Sequence, residues 1–242
     1  MNLPLTQPIL PKVHKTQLLI SVTSIVEAQI ALENGADIID LKEPSAGALG
    51  ALPLERIQAI VAYVKNTKQA GAKLTSATIG DLPMDPELLL AQITKLATTG
   101  VDIIKIGFFE TDDYQSCLDA LRPLAQAGTR LIAVLFAETT YPKGLITAIK
   151  TAGFIGVMLD TANKNGLTLL DYYSAEGRSE FANNVFKLEM QLGLAGSLKL
   201  QHVDLIKDIN PSYIGFRGGV CDDNQRQLAL DAAKIKAIRK TM

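Results

Sequence analysis

The chain has 242 residues, 48% of them hydrophobic and 20% charged, with a formal net charge of −1. That balance excludes a disordered chain and fits a globular one with a large core. It offers no general pull on nucleic acid or an anionic membrane, and no apolar run reaches the roughly 18 residues of a membrane span. Cys117 and Cys221 form neither a metal-binding spacing nor a disulfide framework, so a reducing cytoplasm is the expected compartment.

The N-terminal stretch 1–16 holds Pro4, Pro8 and Pro11 and reads as a short arm, not a secretory signal. Residues 17–242 then read as one domain. Apolar, β-branched runs predict strands over 18–23, 37–42, 74–80, 102–107, 130–136, 156–160, 194–196 and 213–217. Helix-period segments predict helices over 25–34, 54–66, 86–98, 113–127, 145–152, 174–192, 200–207 and 225–239. Strict β–α alternation argues for a parallel sheet with helical crossovers. Eight pairs match a closed α/β barrel, the (β/α)8 or TIM barrel; a doubly wound sheet is the main rival. Gly35-Ala-Asp-Ile-Ile-Asp40 resembles Gly100-Val-Asp-Ile-Ile-Lys105, with a looser copy at Gly153–Asp160. This is either a true repeat or a shared preference of helix-to-strand turns.

In such a barrel, reacting groups sit at the C-terminal ends of the strands. Those ends carry Asp40 and Lys42, Lys105, Asp160 with Lys164 in the following loop, Gly196-Ser197, and Arg217-Gly218-Gly219. Side chains alternate between faces along a strand. Counted from the leading glycines, Lys105 matches Asp40 and Asp160 matches Lys42, so all four can point inward from alternate strands. Charges inside apolar strands are costly unless paired or open to the mouth. The bland alternative is a set of ion pairs that only hold the barrel together.

Lysine at a barrel mouth suggests imine formation with a carbonyl substrate. Desolvation and a second cation nearby both favour the neutral, nucleophilic amine; Asp40 and Asp160 would oppose that shift but could move protons. The glycines after strands 7 and 8, with Ser197 and Arg217, suggest a phosphate site. Neither histidine, His14 nor His202, falls at a strand end, and Cys221 reads as a spectator thiol. No cluster has metal-ligand spacing, and neither a dinucleotide fingerprint nor a P-loop is present. The loop 43–50 reads as a lid or a turn-rich connection.

At these residues the chain resembles the (5-formylfuran-3-yl)methyl phosphate synthase family of methanofuran biosynthesis. The matching stretches are Leu19-Ile-Ser-Val22, Gly35-Ala-Asp-Ile-Ile-Asp-Leu-Lys-Glu-Pro44, Gly47-Ala-Leu-Gly50, Ser76-Ala-Thr-Ile-Gly-Asp81 and Asp102-Ile-Ile-Lys-Ile-Gly107. They continue with Met158-Leu-Asp-Thr-Ala162, Lys164, Gly166 and Asp171, then Ala195-Gly-Ser-Leu-Lys199 and Gly215-Phe-Arg-Gly-Gly-Val-Cys221. The resemblance implies a TIM-barrel lyase that joins two molecules of glyceraldehyde 3-phosphate with loss of phosphate and water. It puts the imine-forming lysine at Lys42, the acid–base lysine at Lys105, and further site residues at Asp40, Asp160 and Lys164. The expected partner is a triose phosphate; no metal or other cofactor, nucleic acid or membrane is expected, and the chain is expected to be a homo-oligomer. The arm before residue 17, the loop 43–46 and Phe136-Ala-Glu-Thr-Thr140 depart from the family pattern. A class I aldolase or triose isomerase, or a phosphosugar-binding barrel without turnover, are the alternatives.

Overall fold

Local signals open many of the helices. Ser24, Asp85, Asp113 and Asp231 each accept a backbone N–H of the first turn that follows. Such caps satisfy donors that the helix itself leaves unpaired. At the other ends, Gly35, Gly100, Gly128 and Gly153 take positive φ on the way into a strand. Only glycine adopts that conformation at little cost. Gly128 lies outside the proposed repeat, so the turn's needs alone account for the recurring glycine.

The computed structural model describes residues 15–67, 73–163 and 165–242. Most of the expected N-terminal arm therefore lies outside the described residues, as do Lys164 and His14. In chain order the elements are β1 Gln17–Val22, α1 Ile25–Glu33, β2 Ile38–Leu41, α2 Leu54–Asn66, β3 Leu74–Thr78 and α3 Pro86–Ala97. They continue with β4 Ile103–Phe108, α4 Tyr114–Gln126, β5 Leu131–Phe136, α5 Leu145–Thr151 and β6 Gly156–Asp160. The last are α6 Leu169–Tyr172, α7 Ala175–Phe186, β7 Gln191–Leu194, β8 Tyr213–Phe216 and α8 Ala232–Thr241. The strands form a closed barrel in sequential order, every pair parallel, with β8 returning to β1. This is a (β/α)8 barrel.

Strand parity divides the core in two. Leu18, Ile20 and Val22 belong to the layer between sheet and helices, whereas Leu19, Ile38, Ile103, Ile132, Met158 and Tyr213 form a separate cluster inside the barrel. Tyr213 is buried against Gly193, where an added Cβ would overlap its ring. The helices of the C-terminal half depart from expectation. The helix expected over 174–192 ends at Phe186, because Glu189 turns to φ 53° and the chain re-enters the sheet at Gln191. The strand expected over 194–196 is thus Gln191–Leu194, and those residues lie at its end and in the loop beyond. The seventh helix, expected over 200–207, is a 3-10 segment, Leu200–Leu205. The eighth starts at Ala232 rather than near 225; the chain before it is held by a bridge between Cys221 and Leu230.

No helix among the described residues is long and apolar enough to cross a membrane. The Gly193–Tyr213 contact gives a stability test. Gly193→Ala forces overpacking and should cost about 1–3 kcal/mol. Thermal unfolding should show a lowered midpoint; an unchanged one would contradict this packing.

Candidate active site

The site grows from polar residues on the inward face of strands that are otherwise apolar. Asp40 is paired in register with Ser21 on β1 and Ser76 on β3. Both serines donate to its carboxylate, Ser21 Oγ to Oδ2 at 2.8 Å and Ser76 Oγ to Oδ1 at 2.6 Å. From β4, Lys105 Nζ lies 2.7 Å from Asp40 Oδ1. Lys105 pairs with Thr78, two residues beyond Ser76, so it sits further up its strand than the repeat suggests but on the same face. Asp40 is 0% exposed and Lys105 2%. Burial by itself would raise the Asp40 carboxyl. The charges of Lys105 and Lys42 and the hydrogen bonds from Lys105 and Ser76 outweigh it and hold the group below its ordinary value.

Lys42 follows the last residue of β2, and Asp160 closes β6. Lys42 Nζ lies 3.9 Å from Asp160 Oδ2, close enough for charge attraction and too far for a direct hydrogen bond. Asp160 Oδ1 also accepts the Thr161 N–H at 2.7 Å. Both side chains are buried beneath a cavity of about 370 Å3 that Lys42, Lys105, Asp40 and Asp160 line together. That volume falls within the range of small-molecule sites.

The strand-7 and strand-8 loops form another wall of this cavity, with Gly196, Ser197, Gly218 and Gly219 in the lining. The two loops pack so closely that a Cβ on Gly219 would overlap the Leu198 carbonyl. Gly196 and Ser197 both take positive φ, 102° and 53°. Among the described residues, no acceptor within the protein takes the backbone N–H of Gly196, Ser197, Gly218 or Gly219. Arg217 also lines the cavity, but all five of its N–H bonds are engaged. They reach the Glu27 carboxylate twice and the carbonyls of Ser21, Arg226 and Leu228. Its guanidinium thus fastens the strand-8 loop to α1 and retains no donor for a ligand.

Loop 43–50 is fastened on several sides. Asp81 accepts the N–H groups of Ala48 and Leu49, each at 2.7 Å, and Leu49 is fully buried in the barrel-interior cluster. Arg226 Nη2 donates to the Gly47 carbonyl at 2.8 Å. Sequence reasoning missed Ser21, Glu27 and Arg226. A serine at the parity of Asp40 in each neighbouring strand was a usable signal for the first; the other two had none. Cys221 is buried outside the cavity lining, its thiol pushed up to about 11 mainly by burial. His202, in the 3-10 segment Leu200–Leu205, accepts the N–H of Lys199 and is not itself in the cavity lining.

These features define a class: a (β/α)8 barrel with two lysine–aspartate pairs meeting at its C-terminal mouth. Solved structures show the same fold. Phosphoribosyl anthranilate isomerase from Thermus thermophilus superposes with a TM-score of 0.64 at 14% identity, over 93% of this chain and 98% of that one. The 3-hexulose-6-phosphate synthase from Salmonella typhimurium gives 0.63 at 16%, over the same shares of the two chains. Sequence comparison goes further. The 4-HFC-P synthase family model matches residues 18–239, and the chain belongs to that family. The (5-formylfuran-3-yl)methyl phosphate synthase of Methanococcus maripaludis strain C7 is 34% identical, over 92% of this chain and 99% of its own length. That of Methanocaldococcus jannaschii is 30% identical, over 92% and 98%. A relative from Methylorubrum extorquens is 41% identical, over 91% and 89%.

The charge cluster sets a pH-dependent stability. The folded Asp40 carboxyl lies below its ordinary value of 3.8, so its ionised form stabilises the fold above that pH, and the contribution fades as pH falls below it. Asp40→Asn would leave Lys105 buried without its counter-charge, a loss of about 3 kcal/mol. Denaturant titrations should show a wide gap between wild type and variant near pH 7 that narrows at about pH 3. A gap independent of pH would contradict this role.

Proposed function

We propose that this enzyme of the 4-HFC-P synthase family condenses two molecules of glyceraldehyde 3-phosphate into (5-formylfuran-3-yl)methyl phosphate, for methanofuran biosynthesis, through an imine on Lys42. The observation that carries the reading is two lysines in one cavity, each beside its own carboxylate. One amine can attack a carbonyl while the other handles protons. The relatives' name supplies the product.

Lys42 Nζ attacks the carbonyl of one triose phosphate, and water leaves as the imine forms. The imine nitrogen is then the electron sink. Lys105, with Asp40 behind it, moves a proton to give the enamine. That carbon attacks the aldehyde of the second triose, forming the new C–C bond. Ring closure, dehydration and elimination of phosphate follow, and hydrolysis frees Lys42. Two trioses thus become one furan phosphate, one inorganic phosphate and two waters. Aromatisation makes the sequence downhill.

The four backbone N–H groups of Gly196, Ser197, Gly218 and Gly219 cradle one phosphate. Arg217 holds that cradle in place through Glu27. Lys164, four positions after Asp160 in the sequence, remains part of the proposed machinery. The proposed setting is a homo-oligomer in the cytoplasm; the buried free thiols Cys117 and Cys221 agree with a reducing compartment.

Purified protein given glyceraldehyde 3-phosphate alone should yield a furan chromophore and inorganic phosphate in equal amounts. A sugar bisphosphate, or simple isomerisation, would instead indicate an aldolase or isomerase. Lys42→Ala should lose at least ~1,000-fold in turnover, about 4 kcal/mol of barrier. Lys105→Ala should lose roughly 100- to 10,000-fold. Retained turnover in Lys42→Ala would remove Lys42 from the mechanism.

A further inference from the structure

The proposed reaction brings two phosphate esters into one cavity, each carrying about −1.5 to −2 charges near neutral pH. The backbone cradle accounts for one of them. Asp160 and Asp40 face Lys42 and Lys105, so even with both amines protonated the reacting centre has little net charge to offer a second anion. Arg217 is no source either, since Glu27 and three carbonyls engage its whole fork. Lys199 lines the cavity from the strand-7 loop, beside the first cradle.

Arg226 differs from all of these. It lines the same cavity, half-buried, from the irregular segment between β8 and α8. Its Cβ lies close to Gly218, while its Nη2 reaches across to the Gly47 carbonyl of the strand-2 loop. That hydrogen bond uses one of its five N–H donors. Among the described residues the other four have no acceptor, and no carboxylate lies within ion-pair distance. Burial lowers its pKa first of all, with Asp160, Asp81 and Glu43 acting the other way from a distance. A partly desolvated guanidinium with an open fork favours an anion that can accept two parallel hydrogen bonds. Asn224, Gln225 and Gln227, also in the lining, add neutral donors around it.

We propose that Arg226 is the cation of a second phosphate subsite, on the strand-2 side of the cavity mouth, and that it binds the phosphate of the second triose. The inference rests on the two-substrate reading above and adds the residue that recognises the second ester. Arg226 thereby also ties substrate occupancy to the strand-2 loop, since one guanidinium touches both the ligand and Gly47.

Calorimetric titration with glycerol 3-phosphate tests this. The probe carries the phosphate but no carbonyl, so its binding does not depend on imine formation. Wild type should bind two molecules per chain. Arg226→Gln should lose one of them or weaken it at least ~10-fold, with the other unchanged. Arg226→Lys should fall between, because an ammonium cannot make the forked contact. Asp81→Asn, which loosens the strand-2 loop from its other anchor, should leave both sites near wild type. The proposal is overturned if wild type binds one molecule only, or if Arg226→Gln binds both as wild type does. It is overturned equally if Asp81→Asn weakens the same site as much as Arg226→Gln. Should Arg226→Gln fail to fold, as judged by circular dichroism, Arg226→Lys decides: wild-type affinity at both sites overturns the proposal. Failure to make the furan would sink the proposed reaction and leave this binding result standing.

Discussion

Everything at the barrel mouth depends on one buried carboxylate. Asp40 sits fully enclosed, and taking an ion out of water costs several kcal/mol unless partners replace the lost solvation. Here the partners come from three neighbouring strands: Ser21 on β1, Ser76 on β3 and Lys105 on β4. The carboxylate therefore stays ionised, and it holds the Lys105 ammonium at a fixed place under the cavity. A parallel barrel is suited to this, because its inward side chains come from adjacent strands at fixed register. Below the charges the barrel interior is filled by Leu19, Ile38, Ile103, Ile132 and Tyr213, all buried.

Around that fixed centre the loops are fastened by polar contacts. Arg217 ties the strand-8 loop to Glu27 on α1. Asp81 ties the strand-3 end to the strand-2 loop. Arg226 ties the strand-8 loop to the strand-2 loop, and only there is most of the hydrogen-bonding capacity left open. The division of labour between the two arginines follows from their partners: the one facing a carboxylate is structural, and the other can meet a ligand. Loop 43–50, with Leu49 buried and two N–H groups held by Asp81, is a fastened connection beside the cavity mouth, reached from the cavity lining by Arg226.

The barrel was legible because buried parallel strands read as continuous apolar runs, as in Leu131–Phe136. The charges of Asp40, Lys105 and Asp160 were legible for the same reason: they interrupt such runs at one parity. β7 was obscured because Gln191–Leu194 is four residues long, contains Gly193, and follows an apolar stretch that continues the helical pattern. The Glu27–Arg217 pair joins residues 190 positions apart, which no local pattern can indicate. Arg226 lay inside an expected helix; the chain there is irregular, bridged at Leu230, with α8 beginning only after the Asp231 cap.

The central claim is that the amine of Lys42, beside Asp160 and above the Lys105–Asp40 pair, bonds to a substrate carbonyl. Reduction with borohydride in the presence of glyceraldehyde 3-phosphate, followed by peptide mass mapping, addresses it directly. The account predicts a stable triose phosphate adduct on Lys42 and none on Lys105. An adduct on another lysine, or no adduct from protein that turns over substrate, would contradict it.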